Sequence, residues 1–173
     1  YRHMAYDITG CNDKWNDAAG ALQELAIDET FGFLNPKAGI SWQIDRNNRM
    51  FASVSMAHKE PTRNNYTDGK LHERPESERL IDYELGYTFG SRLFKAGANL
   101  YYMDYKDQLV LTGELNEIGE PLASNASRSY RAGIELMAAM TLPCGFSWNA
   151  NATLSRNRIK DFKEVLYEDE TYE

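Results

Sequence analysis

The sequence predicts an all-β chain, an antiparallel up-and-down meander forming part of a large transmembrane β-barrel, with a short helix in one long loop. Three observations lead there. Apolar and polar residues alternate over long stretches, tight and long connections alternate between those stretches, and each stretch gathers its charges on one face. The clearest case lies within 81–110. Ile81, Tyr83, Leu85, Tyr87 and Phe89 alternate with Asp82, Glu84, Gly86 and Thr88. Successive side chains of a strand point to opposite faces, so one face is apolar and the other polar. Gly90-Ser91-Arg92 supplies a tight turn, and Phe94, Ala96, Ala98, Leu100 and Tyr102 resume the apolar face against Lys95, Gly97, Asn99 and Tyr101. Strands of globular proteins cluster near about 5–6 residues. A tilted strand needs about 9–11 to cross a bilayer. These stretches have the longer length, so lipid is the expected partner of the apolar face.

Taken in order, Tyr1–Thr9 reads as the end of a strand. From Gly10 to Thr30, Trp15, Ala18, Ala19, Leu22 and Leu25 recur at helical spacing, with Asn12 or Asp13 available as an N-cap. A long loop carrying a short helix is expected there, although Gly20 weakens the helix by about 1 kcal/mol relative to Ala. Phe33–Ile44 is the next strand, with Ala38, Ile40, Trp42 and Ile44 opposite Lys37, Gly39, Ser41 and Gln43. Pro36 suits a strand start, where its missing N–H matters least. Asp45–Asn48 is a polar turn into Arg49–His58, and Lys59–Arg79 is a long charged loop. Beyond the 81–102 hairpin, strand character continues from Gln108 to Leu115, reverses over Asn116–Pro121 and returns over Leu122–Arg128. Ser129–Leu142 is a strand with Tyr130, Ala132, Ile134, Leu136, Ala138 and Met140 on its apolar face. Pro143-Cys144-Gly145 turns it into Phe146–Arg156, and the tail 157–173 is acidic and loop-like.

The tight connections are 45–48, 90–92 and 143–145; the long ones are 10–32, 59–79, roughly 107–128 and the tail. Up-and-down outer-membrane barrels have short turns on one side and long loops on the other. A soluble sandwich with Greek-key links has no reason to follow that rule. The polar face carries Asp82, Glu84, Lys95, Asn99, Arg131 and Glu135. Buried charges must be paired or wet, so a wide hydrated interior suits them better than a dry core. A soluble sheet with a solvated outer face would show the same faces; strand length and loop alternation favour the membrane.

The 173 residues include 26 acidic and 19 basic side chains, a net charge of −7. That balance disfavours nucleic acid, whose phosphates call for Lys and Arg. Mean hydropathy is −0.61, and no apolar run approaches the roughly 18 residues of a membrane helix. Barrel strands are half polar, so neither fact argues against them. Cys11 and Cys144 form no CxxC and are expected on opposite sides of an apolar band about 25 Å tall. A disulfide needs Cα atoms within about 7 Å, so none is expected between them. No Gly-rich phosphate loop, HExxH or GxSxG is present, so no catalytic residue, metal ligand set or cofactor is expected, and the chain does not read as an enzyme.

Several phrases then combine. Asn35-Pro36-Lys37-Ala38-Gly39-Ile40, Phe51-Ala52-Ser53, His58-Lys59-Glu60-Pro61-Thr62-Arg63, Pro75-Glu76 with Tyr83-Glu84-Leu85-Gly86-Tyr87, Tyr101–Asp107 and Tyr130–Glu135 follow one another in order. This succession resembles the C-terminal half of the barrel in TonB-dependent outer-membrane receptors, from about Phe33 to Ile159. The resemblance implies an internal piece of about eight strands, 1–173 being partial barrel without the plug domain and the last strands. It implies a Gram-negative outer membrane, with lipid, the receptor's own plug domain, TonB and a small nutrient ligand as partners. The implied activity is TonB-energised uptake of a scarce nutrient such as a ferric siderophore. A passive porin-like channel and a soluble β-rich carbohydrate-binding module are the alternatives.

Ligand contacts are sought at the long-loop end. His58, Lys59 and Arg63 near a loop base, with Tyr66 beyond them, are candidates for an anionic ligand, and Asp104 and Asp107 for a cation. Each also reads as an ordinary solvated loop or strand end. Asn65-Tyr66-Thr67 and Asn125-Ala126-Ser127 match glycosylation acceptors, which matter only in a eukaryotic secretory setting.

Overall fold

The structure, a computed structural model, describes residues 1–16, 20–67, 74–115, 119, 121–160 and 162. In chain order its elements are β1 (Arg2–Asn16), β2 (Ala21–Phe33), β3 (Lys37–Gln43), β4 (Asn48–Lys59), α1 (Arg63–Thr67), β5 (Glu78–Gly90), β6 (Phe94–Leu115), β7 (Pro121–Thr141) and β8 (Ser147–Lys160). β1 and β2 form a two-stranded sheet, and β3 to β8 form a six-stranded sheet in sequence order. Every pairing is antiparallel. The sheet is an open meander, with β3 and β8 at its edges among the described residues.

The register sorts the side chains. Ile40, Ala52, Leu85, Leu100, Ile134 and Leu154 are successive Cα partners across all six strands. A second row joins Trp42, Met50, Tyr87, Ala98, Leu136 and Ala152. Cross-strand partners project to the same side, so these rows make one continuous apolar surface. It does not close on a core. Trp42 is 63% exposed, Leu85 46%, Leu100 49% and Trp148 46%. Among the described residues the buried hydrophobic ones are Phe33, Tyr105 and Ala126, with Pro61 fully buried as well, all at or beyond the end of the sheet away from its tight turns. An apolar face this wide, left without protein cover, is the outer wall that the alternating pattern predicts.

The opposite face is polar and mixed in charge. Lys37, Ser55, Asp82, Met103, Arg131 and Asn157 form one row, and Ser41, Phe51, Gly86, Asn99, Glu135 and Thr153 another. Two aromatic rings lie over glycines of the neighbouring strand here. Phe51 covers its register partner Gly86, and Tyr101 covers Gly133. A side chain on either glycine would displace the ring.

Several expectations change. The segment 10–32 is a hairpin rather than a loop with a helix: β1 and β2 pair from Arg2↔Phe33 to Asn16↔Ala21, with an irregularity between Cys11 and Trp15. Of the residues at helical spacing, Ala18 and Ala19 lie outside the described residues, whereas Trp15, Leu22 and Leu25 stand in paired strands. Met4↔Phe31 and Ile8↔Ile27 give the hairpin a half-buried apolar side with period two. Pairing of the backbone over this length overrides a local helix preference worth tenths of a kcal/mol per residue. The short helix sits instead at α1, in the 59–79 connection. The strand expected over Phe33–Ile44 is broken at 34–36, and β8 continues through Lys160 into what reads as the start of the tail. The acidic stretch Glu164–Glu173 lies outside the described residues.

Candidate functional site

At the end of β4 the chain leaves the sheet for α1. His58 stacks face to face on Phe33, the last residue of β2, with ring centroids 5.0 Å apart. Its Nδ1 lies 2.8 Å from Asn35 Oδ1. Lys59, exposed, pairs in register with Glu78 of β5. Arg63 opens α1 and is exposed. Thr62 caps the helix. Its N–H and hydroxyl both donate to Asn65 Oδ1, at 2.8 and 2.7 Å, the reach-back half of a capping box. Tyr66 turns inward toward Tyr6, 6.4 Å between ring centroids, and its buried hydroxyl has no hydrogen-bond partner among the described residues. Burial, with the Glu29 carboxylate nearby, pushes that phenol above its ordinary range. Tyr6, Phe31 and Phe33 continue the contact, Phe31 lying 5.7 Å from Phe33. Four of the candidates, His58, Lys59, Arg63 and Tyr66, therefore stand at the root of one connection, backed by the β1–β2 hairpin. Two ion pairs anchor the hairpin there, Arg2 to Glu60 at 2.6 Å and Arg74 to Glu29 at 3.0 Å.

The two aspartates lie two strands away. Asp104 is on the face of the apolar rows, between Ile81 and Tyr130, and its carboxylate meets Arg128 at 3.5 Å. Asp107 has a left-handed backbone, φ 55°, and meets Lys106 at 3.3 Å. The structure does not bring these carboxylates beside the α1 group.

The sequence put Glu84, Asn99, Arg131 and Glu135 on the polar face without grouping them as a site. Glu84, Asn99, Tyr101, Met103, Arg131, Glu135, Ser155 and Asn157 surround a concavity of about 260 Å³. Ser53 donates to Glu84 Oε2 at 3.0 Å, and the Arg131 guanidinium sits 5.3 Å from the Tyr105 ring centroid. These residues are far apart in sequence. Their register was the one available signal: Glu84, Tyr101 and Gly133 share a row, as do Asn99 and Glu135.

An open antiparallel wall with an uncovered apolar face and a charged, concave opposite face defines a segment of a large β-barrel. The comparisons agree. The family model "TonB dependent receptor-like, beta-barrel" matches residues 9–172, and the chain belongs to that family. Its members are outer-membrane β-barrels of Gram-negative bacteria. Among curated proteins, the chain is 25% identical over 120 residues to a pesticin receptor of Yersinia enterocolitica serotype O:8 / biotype 1B, and likewise to that of Yersinia pestis. In each case the match covers 69% of this chain and 17% of the relative. Among solved structures, the FrpB iron transporter of Neisseria meningitidis superposes with a TM-score of 0.57 at 22% identity, over 79% of this chain and 21% of that one. The ferric-catecholate import receptor Fiu of E. coli K12 superposes with a TM-score of 0.63 at 16% identity, over 94% and 25%. These superpositions confirm the fold. The chain spans about a sixth of the curated relatives' length.

Proposed function

We propose that the protein containing this chain takes up a scarce nutrient, with a ferric siderophore the first to test, using energy passed through TonB. In this reading the chain is part of the outer-membrane wall, its apolar rows against lipid and its polar face against the receptor's own plug domain. The observation that carries it is the family match over 9–172. Neighbours named for iron, ferric catecholate and alcaligin make iron chelates the natural first substrates. Within the chain, Lys59 and Arg63 supply exposed cations where an anionic chelate would arrive, with the His58 ring and the buried Tyr66 hydroxyl behind them. Asp104 and Asp107 act on a ligand only by releasing Arg128 and Lys106.

The test is uptake of labelled ferric chelates by cells whose own iron receptors are deleted, complemented with the full-length parent. Uptake is expected with TonB and not without it, and Lys59→Ala with Arg63→Ala is expected to raise the half-saturating chelate concentration. Uptake that persists without TonB would establish a passive pore instead. Failure with every ferric chelate would remove iron as the nutrient.

A further inference from the structure

The register places an unexpected set of charges on the apolar side. Four residues along each strand from the Ala52–Leu154 row, toward the long connections, Met56, Ile81, Asp104, Tyr130 and Arg158 are successive partners. Two residues along each strand from these, and so on the same face, stand His58, Arg79, Lys106, Arg128 and Lys160, again successive partners. Arg156, on the same side of β8, lies next to Ala132. From the tight turns up to the His58–Lys160 row, at the sheet positions with the parity of the apolar rows, the acidic side chain is Asp104 alone among the described residues, against six Lys or Arg. The whole chain has the opposite balance, −7.

The cations are accessible. Arg79, Arg156, Arg158 and Lys160 are exposed, and the Lys106 and Arg128 side chains are 56% and 64% exposed. Arg128 also meets Asp104 at 3.5 Å, and Lys106 meets Asp107 at 3.3 Å. Neither pair removes the excess. At the tight-turn end of the same face the partners are Asn48, Phe89, Ala96, Ala138 and Ala150, none ionisable. The charge therefore belongs to one rim only.

Between the aliphatic rows and this rim, Tyr83, Tyr102 and Tyr130 form a stripe, with centroid separations of 6.5 and 5.9 Å. Aliphatic, then phenolic, then cationic is the order of side chains that matches hydrocarbon, interface and charged headgroups. Strands lie about 4.8 Å apart, so the five-residue row spans roughly 19 Å, wide enough for more than one phosphate group. Arg offers a bidentate fork and Lys a mobile point charge, both suited to phosphate oxygens.

The geometry points to a headgroup site on the outside of the wall: Arg79, Lys106, Arg128 and Lys160, with Arg156 and Arg158, hold the phosphorylated headgroups of lipid in the leaflet at the long-connection end. The site requires the membrane placement proposed above but is independent of the nutrient carried and of TonB.

The experiment uses the full-length parent in nanodiscs. Each disc carries a trace of phosphorylated lipid A or of the same glycolipid after phosphatase treatment, and retained glycolipid is measured by mass spectrometry. Retention of the phosphorylated form is expected to exceed the other by about tenfold or more, with about a tenfold loss in Arg79→Gln/Lys106→Gln/Arg128→Gln. The control Arg92→Gln/Lys95→Gln, at the tight-turn end, is expected to leave retention unchanged. Equal retention of the two glycolipids by the unaltered parent overturns the proposal, and that comparison needs no folded variant. So does equal loss in the control, or full displacement by inorganic phosphate, which would mark a free-anion site. If the parent still needs detergent for extraction when retention is equal, the headgroup site has failed while membrane placement stands.

Discussion

Single residues decide whether the tight turns and the crowded inner face are held. Asp45 accepts hydrogen bonds from the N–H groups of Asn47 and Asn48, at 2.7 and 2.9 Å, and from the Asn48 side chain. The Asn47 N–H, then the Asn48 amide, hold its carboxyl below the ordinary 3.8. A depressed folded-state value contributes stability that is present above 3.8 and lost as pH falls through the lower folded value. An NMR titration of the parent should give an Asp45 midpoint under 3.8, and Asp45→Ala should speed amide exchange at Asn47 and Asn48; a normal midpoint would contradict this geometry. Gly133 poses a steric test. A Cβ there would meet the Leu154 carbonyl oxygen at 2.6 Å, and a backbone atom cannot swing aside. Gly133→Ala is expected to destabilise the vesicle-inserted parent by about 1–3 kcal/mol in urea. Gly90→Ala meets nothing within 4 Å and should be near neutral. Equal midpoints for the two would refute the argument. The acceptor-like Asn65 and Asn125 are explained at this scale too, since the structure uses both side chains internally.

At the scale of elements, β6 and β7 run 22 and 21 residues, about twice what a crossing needs. Their far halves form a hairpin beyond the apolar rows, pairing out to Leu115↔Pro121. Asn125 ties that hairpin to the strap before β5. Its Nδ2 donates to the Asp107 and Glu76 carbonyls at 2.6 and 3.0 Å, and its Oδ1 accepts from the Glu76 N–H at 2.8 Å. Glu78 Oε2 accepts from the Leu109 N–H at 3.2 Å beside it. Replacing Asn125 with Ala removes three neutral hydrogen bonds, on the order of 1–3 kcal/mol at a half-exposed site. Hydrogen exchange should quicken at Glu76 and along 108–111, with the strand pairs of 94–104 unchanged. A uniform change along β6 would mean that the hairpin and the wall are one cooperative unit. The β1–β2 hairpin is held differently, through rings and two ion pairs, and those ion pairs should weaken as salt rises.

For the whole molecule, stability rests on which solvent each face meets. Leu85 sits mid-row on the apolar side, and Leu85→Arg is expected to cost about 2–4 kcal/mol in a bilayer. Thr153→Arg, on the polar side next to Glu135, should cost less than about 1 kcal/mol. Unfolding of the parent from vesicles checks the pair, and a reversed order would turn the wall inside out. The two cysteines report the same topology: both are free and exposed, Cys11 far along the β1–β2 hairpin and Cys144 in the β7–β8 turn. An impermeant thiol reagent applied to intact cells should label Cys11 and spare Cys144.

The order of strands, the two faces and the positions of the tight turns were readable from the sequence because a period of two is a local property that neighbouring residues carry. Ile81–Phe89 and Phe94–Tyr102 announce their faces without any partner. The hairpin at 1–33 was not readable, since its strandedness comes from pairing across the turn, and the Ala and Leu content there favours helix when taken alone. The candidate site was half legible. His58, Lys59, Arg63 and Tyr66 lie within nine residues, so their proximity follows from chain connectivity. The Glu84–Arg131–Glu135 concavity gathers its residues from β5 to β8, and the members of the Arg79–Lys160 basic row each come from a different strand. Register decides them, and register is fixed by the sum of every cross-strand contact rather than by any segment.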